Sequence, residues 1–287
     1  MNTHANEARR PLAVLLPATG ALGGSAAWQA PRLRLWHGLA LVLLVLLSGA
    51  VADAAAAPHQ AGVFAILVRW TPLLLRGFGF NIVISFLSMG LGTVLGVALG
   101  LGLISLGRGT SRVAWVLTQF FRNAPWLVLL FFAIFLIPFQ IRVGGLTIPL
   151  PGWFKAVIGL SLPVMANVAE ILRGAVASIP SGQWEAAESL AFSRRQQLWL
   201  VILPQCVKRM LPPWMNLYSI LTTSTVLASI VGVSEVMTLA SQITAAEGGR
   251  TDILAPLYAY IMVWFFLYCY PIARYTVRLE RRFAVKI

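Results

Sequence analysis

Three ionisable side chains interrupt long apolar runs: Arg122 in "QFFRNAPW", and Glu170 with Arg173 in "VAEILRGA". An ionised group at membrane depth is costly, so each must find a partner or line a polar path. Glu170 and Arg173 stand three residues apart on one helix face, where carboxylate and guanidinium can pair with each other. Close to the end of a span, both can also reach back to water. Arg122, beside Asn123 and Pro125, could meet the carboxylate of a solute or hold a helix break open. The run Thr222-Thr223-Ser224-Thr225 adds hydroxyls without charge. Such hydroxyls often bond back to their own helix, but four in succession cover every face. One of them, with Thr223 and Thr225 as the candidates, is expected to face a pathway or another subunit. Glu235 reads as a solvated loop acid.

Other chemistries lack their residues. Cys206 and Cys269 have no ligand spacing, and His4, His37 and His59 all precede the main body, so neither a metal nor a haem site is expected. A membrane-embedded enzyme would need clustered His, Cys or carboxylates in the bilayer, and an ion-coupled secondary carrier would need intramembrane ion ligands, often in paired repeats. Neither pattern is evident.

The elements that must position these residues are membrane helices. The chain has 287 residues, of which 59% are hydrophobic and 11% charged, against about a quarter charged in ordinary globular domains. Several runs reach the roughly 20 apolar residues that cross a bilayer as a helix. The expected fold is an all-α polytopic membrane protein. The net charge of +13 is gathered in short segments beside the apolar runs, as a topology signal is, so no nucleic-acid partner is expected.

Residues 1–34 read as a basic, disordered cytoplasmic tail. Residues 35–57 hold an apolar run that is either a transmembrane helix or a signal peptide, since "AVADAAAAP" offers small residues suited to cleavage. The basic region before it is long for a signal peptide, which favours a retained helix. Residues 58–76, broken by Arg69 and Pro72, are expected to lie along the membrane surface. The membrane body, residues 77–284, reads as five spans: Phe78 to Leu106, Val113 to Ile137, Trp153 to Ala177, Met210 to Val233 and Ile253 to Tyr275. Gly92, Gly96 and Gly100 place small residues on one face of the first, for close packing within the chain or against another copy.

With the N-terminal tail inside and six crossings, fifteen Lys and Arg fall on the cytoplasmic side. Five (Arg69, Arg76, Arg142, Lys155 and Arg250) fall outside, with Arg122 and Arg173 left uncounted at membrane depth. The excess puts both termini in the cytoplasm, together with residues 181–205.

That segment, "SGQWEAAESLAFSRRQQLWLVILPQ", reads like soluble surface. Ser181 after Pro180 suits an N-cap. Ser193 followed by Gln196 fits a capping box that starts a second helix, which Pro204 would end or kink. Trp184, Ala187 and Leu190 are spaced to share a face. The loop could lie on lipid headgroups, but Glu185 and Glu188 would be repelled there, which favours a protein partner.

This segment resembles the EAA loop of binding-protein-dependent ABC importer permeases, in Glu185-Ala186-Ala187, Leu190-Ala191 and Ile202-Leu203-Pro204. The stretches "FRNAPWLVLLFFAIF", "ANVAEILRGAVASIPSGQWEAA", "LPPWMNLYSI" and "SIVGVSEV" are similar to the polar amino acid permease subfamily, and the resemblance covers about Leu73 to Phe283. It implies a five-helix permease core, here with one extra N-terminal helix, in the bacterial inner membrane. It also implies that these loop residues dock on a cytoplasmic ATPase. The expected partners are ATPase subunits that use ATP and Mg, a second permease subunit (identical or not), an external solute-binding protein and an amino acid or other small polar solute. The chain itself is then no enzyme and binds no cofactor. No G-x-x-x-x-G-K-[ST] loop occurs in it, and Lys155, Lys208 and Lys286 each lack a preceding glycine.

Three departures from the subfamily stand out. Ala191 replaces the glycine of the loop. Gln119 replaces the acid of E-x-x-R-G-T-P. Thr223-Ser224-Thr225-Val226 stands where K-D-T-S is common, which loosens any transfer of solute specificity.

Overall fold

The structure, a computed structural model, describes residues 35–55, 62–143 and 145–283. The basic tail and part of the cleavage-like stretch lie outside the described residues. In chain order the elements are α1 (Leu35–Ala55), α2 (Val63–Leu103), α3 (Arg108–Asn123), α4 (Trp126–Leu136), β1 (Gln140–Val143) and β2 (Leu146–Pro149). Then follow α5 (Gly152–Ala177), α6 (Ser181–Ser189), α7 (Arg194–Gln196), a π-helical turn (Gln197–Ile202), α8 (Leu203–Ser224), a 3-10 turn (Thr225–Ser229), α9 (Val236–Ala246) and α10 (Leu254–Phe283).

Helix α5 is the centre, with α2, α3, α4 and α8 packed around it. Its Leu160, Val164 and Val168 meet Leu130 of α4 and Leu217 and Leu221 of α8 in one apolar core. The glycine stripe is used within the chain. A Cβ at Gly92 would lie 2.5 Å from a Val164 methyl, one at Gly96 2.6 Å from Val168 Cβ, and one at Gly100 2.8 Å from a Leu172 methyl, all on α5. Only glycine lets the two backbones come this close. A second core joins the first half of α2 to α9 and α10 through Leu67, Leu74, Val236, Ile243 and Leu257.

Helix α2 runs unbroken through Arg69 and Pro72 for 41 residues, so the boundary expected at residues 76/77 falls inside a helix. Pro72 comes late enough in the helix to cost one backbone bond. Leu67, Leu74 and Phe78 on either side of it are tied down against α9 and α10, which holds the helix together. At about 1.5 Å per residue it is about 60 Å long, twice the hydrocarbon thickness of about 30 Å.

The span expected at Val113 to Ile137 is two helices, α3 and α4, bent by 106°. Pro125 disfavours helical geometry at Ala124, whose ψ is 138°, and the chain turns there. The span expected at Met210 to Val233 also divides. Helix α8 has the length of a span but not the apolarity, because the apolar sequence continues into the 3-10 turn and past Gly232. Thr225 Oγ1 donates to the Thr222 carbonyl at 2.7 Å, drawing on the backbone where the helix tightens. By length and composition α2, α5 and α10 can each cross a membrane, with α3–α4 as a fourth if the bent pair is one span. Helix α1 packs on α10, with Gly38 against Phe266. Its apolar stretch, Ala40–Val51, is shorter than a full span. The hairpin β1–β2, pairing Ile141 with Ile148 and Arg142 with Thr147, was not foreseen.

Candidate functional site: the α6 loop and the polar groups of the bundle

Helix α6 projects from the end of α5. Pro180, not Ser181, occupies its N-cap position, and no side chain caps it. Its far end closes by two backbone bonds: Ala191 N–H donates to Glu188 O at 2.8 Å, and Phe192 N–H to Ala187 O at 3.2 Å. This is a Schellman closure, which requires a left-handed residue at the position of Ala191. Ala191 has φ of 57° and is the one non-glycine residue with positive φ among the described residues. An alanine there costs roughly 1–2 kcal/mol relative to glycine.

The next turn starts with the expected capping box. Ser193 Oγ accepts from Gln196 N–H, and Gln196 Oε1 accepts from Ser193 N–H at 2.9 Å. Pro204, however, does not end the helix. The wider π turn at Gln197–Ile202 precedes it, and the chain continues into α8 with the proline in its first turn. There the missing N–H is tolerated, because the local ladder has already been re-registered.

Few contacts hold α6 to the body. Ala187 is buried, Trp184 is half-buried under the Arg194 guanidinium at 4.0 Å, and Gln205 Nε2 donates to Gln183 Oε1 at 3.1 Å. Beneath them Ile179, Ile202 and Cys206 form a small apolar cluster, and Arg209 clamps the chain by donating to Ser178 O at 2.6 Å. Glu185, Ala186, Ala191 and Pro204 are exposed, Leu203 is half-buried and Leu190 is 70% exposed. Leu190 therefore does not share the buried face with Trp184 and Ala187. It follows the last helical turn and points away from the body as an unpartnered apolar side chain.

In the bundle, Arg122 comes 3.7 Å from Glu170, which Arg173 also grips through Nε at 2.9 Å. The three form one cluster joining the end of α3 to α5. Asn123 turns back on its own helix, donating to Gln119 O at 2.7 Å. The hydroxyl run divides: Thr222 and Thr225 are buried, while Thr223 is exposed and bonds to the Ile220 carbonyl.

Glu235 is not a solvated acid. It is fully buried, caps α9 by accepting from Met237 and Thr238 N–H at 2.9 and 3.1 Å, and accepts from Asn81 Nδ2 at 2.8 Å. Asn81 also donates to Thr225 Oγ1 at 2.9 Å and accepts from Val236 N–H at 3.1 Å. One amide thus ties α2, the 3-10 turn and α9 together. The available signal was a lone Asn in the apolar "GFNIVIS", which a search for ionisable groups passes over. Lys155, counted above among the charges on the outer side, is also fully buried. Its Nζ lies 3.3 Å from Ile134 O and 3.4 Å from the centre of the Phe139 ring.

Residues 92–284 match the family described as "Binding-protein-dependent transport system inner membrane component". The chain is 34% identical over 214 residues to the probable amino-acid ABC transporter permease protein YckA of Bacillus subtilis (strain 168), covering 74% of this chain and 90% of that protein. It is 30% identical over 217 residues to the glutamine transport system permease protein GlnP of Escherichia coli (strain K12), covering 75% and 94%. Among solved structures, an amino acid ABC transporter crystallised with histidines superposes with a TM-score of 0.67 at 24% identity, over 78% of this chain and 99% of the other. The polar loop on its short helix, the glycine-packed bundle and these matches agree: the chain belongs to the binding-protein-dependent transport system inner membrane components, the membrane permeases of ABC importers.

Proposed function

We propose that this chain is the translocation subunit of an importer for polar amino acids, and that α6 is the part through which a separate ATPase drives it. The observation that carries this reading is the outward face of α6. Glu185 and Ala186 are exposed on α6 and Leu190 at its C-cap, and among the described residues the helix meets the body through Ala187, Trp184 and Gln183. Small Ala186 permits close approach, Leu190 supplies apolar area, and Glu185 supplies a charge that can order the docked helix. The amino-acid reading draws on the names of the relatives, and the partners on the family's reliance on a binding protein.

In this reading both termini and α6 face the cytoplasm. ATP and Mg belong to the ATPase pair, and a second permease subunit completes the pathway. Closure of the ATPases on ATP pulls α6, and the pull passes to α5 through Ile179 and Arg209 and to α8 through Ile202. The cavity then opens outward to take solute from the external binding protein, and hydrolysis returns it. Arg122, Glu170 and Arg173 sit where α3 meets α5, placed to change partners as that contact shifts, and exposed Thr223 offers a hydroxyl to the pathway.

The test is Glu185→Lys in the reconstituted permease–ATPase complex. Solute-stimulated ATP hydrolysis and uptake should both be lost while the permease still inserts. Normal uptake with full ATPase binding would remove the docking role. Uptake driven by an ion gradient, without ATP, would remove the importer reading altogether.

A further inference from the structure

The turn between α2 and α3 opens a cavity of about 850 Å³ that borders the Arg122–Glu170–Arg173 cluster but whose other lining residues the transport reading does not use. Its charged lining comes from two helices. Arg108 and Arg112 lie four residues apart on one face of α3, and Arg173 reaches in from α5. Arg173 spends Nε and Nη2 on Glu170. The side chains of Arg108 and Arg112 make no hydrogen bond or ion pair among the described residues. The same stripe of α3 continues into Trp115 and Val116, 56% and 53% exposed, and Leu106 faces the cavity from the turn at 77% exposure. Charge thus gathers where the long span α2 ends, and apolar surface follows along α3.

We propose that this groove binds one acidic phospholipid, its phosphate held by Arg108 and Arg112 and its acyl chain lying along Trp115 and Val116. The ligand must be anionic at one end and apolar at the other, and it must be present where a membrane helix ends. Guanidinium groups suit phosphate because they donate in a planar fork. Basic pockets between membrane helices are known to take such headgroups, and a tryptophan at the same level suits the interface. A second copy of this chain complements the groove poorly, since the chain has 9 Asp and Glu against 22 Lys and Arg. Free phosphate would leave the apolar wall uncovered. Bound lipid would brace the α2–α3 turn against α5, beside the Arg122–Glu170–Arg173 cluster.

The experiment is native mass spectrometry of the purified permease–ATPase complex, incubated with equal amounts of phosphatidylglycerol and phosphatidylcholine. Phosphatidylglycerol should be retained in preference. Arg108→Gln with Arg112→Gln should weaken that retention about 30-fold, from about 1 kcal/mol for each arginine. Arg108→Lys with Arg112→Lys should keep most of it, which separates loss of charge from misfolding. Arg281→Gln, in the last turn of α10 and outside the groove lining, should change nothing. Short-chain phosphatidylglycerol should displace the bound lipid and inorganic phosphate should not. Equal retention of the two lipids, an equal loss in Arg281→Gln, or displacement by phosphate would each overturn the proposal. So would disulfide formation between two Val116→Cys chains in the membrane, because a second copy would then cover the groove.

Discussion

Along the α2–α5 seam, Gly92, Gly96 and Gly100 bring two backbones so close that a single added methyl would overlap a valine or leucine side chain. At α6 the chain does the opposite. One buried alanine, one half-buried tryptophan and one amide pair hold a nine-residue helix, and its final turn rests on an alanine in a glycine conformation. The seam leaves no room to slide, because close-packed interiors are stiff and respond to small changes in volume. The loop can tilt as a unit at the loss of a few contacts. If α6 docks on an ATPase as proposed, a stroke delivered there would reach the bundle as movement of helices, since the seam would not absorb it.

The contrast is broken most directly at the seam. In Gly96→Leu the new Cβ would sit 2.6 Å from Val168 Cβ and 2.7 Å from the Met165 carbonyl. Overpacking usually costs about 1–3 kcal/mol, and here a backbone carbonyl blocks relaxation, so the top of that range or beyond is expected. Yield of folded complex and its melting temperature should both collapse. A Gly96→Leu protein melting like the parent would mean that α2 and α5 part easily, and the seam would not be the rigid half of the pair.

Asn81→Leu comes next in size. It removes the two donated bonds to Glu235 and Thr225 and the acceptor for Val236 N–H, leaving a buried carboxylate short of a donor, at a cost of about 2–3 kcal/mol. The melting temperature should fall, while ATP hydrolysis per folded complex stays coupled to solute. Uncoupling without loss of stability would move this knot from the rigid half of the molecule to the moving one. Trp184→Ala is its mirror image. Loss of a half-buried ring and of the Arg194 contact should weaken the loop by about 1–2 kcal/mol. Global melting should hardly change, but coupling of hydrolysis to uptake should drop.

The two regions were also unequally legible in the sequence. The glycine stripe and the Ser193–Gln196 capping box are local patterns whose meaning follows from helix geometry, and both appear in the structure. What depends on context was hidden. Pro204 reads as a stop until the π turn before it is known. Leu190 fits the spacing of a buried face, but α6 ends before it can turn inward. Val113 to Ile137 has the length and apolarity of a span, and only the effect of Pro125 on Ala124 divides it. Glu235 was misplaced for the most instructive reason. Burial of an acid is decided by a partner 154 residues away, and nothing near Glu235 in sequence announces Asn81.

The smallest effect tests the loop most sharply. Ala191 stands at φ 57° with both closing bonds of the α6 turn made, so Ala191→Gly should remove the left-handed penalty. Glycine gives part of that back through greater freedom in the unfolded chain, which leaves a net gain of about 0.5–1 kcal/mol. Because the gain is confined to one loop, hydrogen exchange at Ala191 and Phe192 N–H should slow more than the melting temperature rises. Uptake should be kept or increased, since the proposed docking face of Glu185, Ala186 and Leu190 is untouched. Ala191→Val should do the reverse, as a β-branched residue is strained further at positive φ. Faster exchange or lost uptake in Ala191→Gly would mean that the strain itself serves the stroke, with the alanine holding the turn ready to open. The loose half of the molecule would then be loose by stored strain and not by scarcity of contacts.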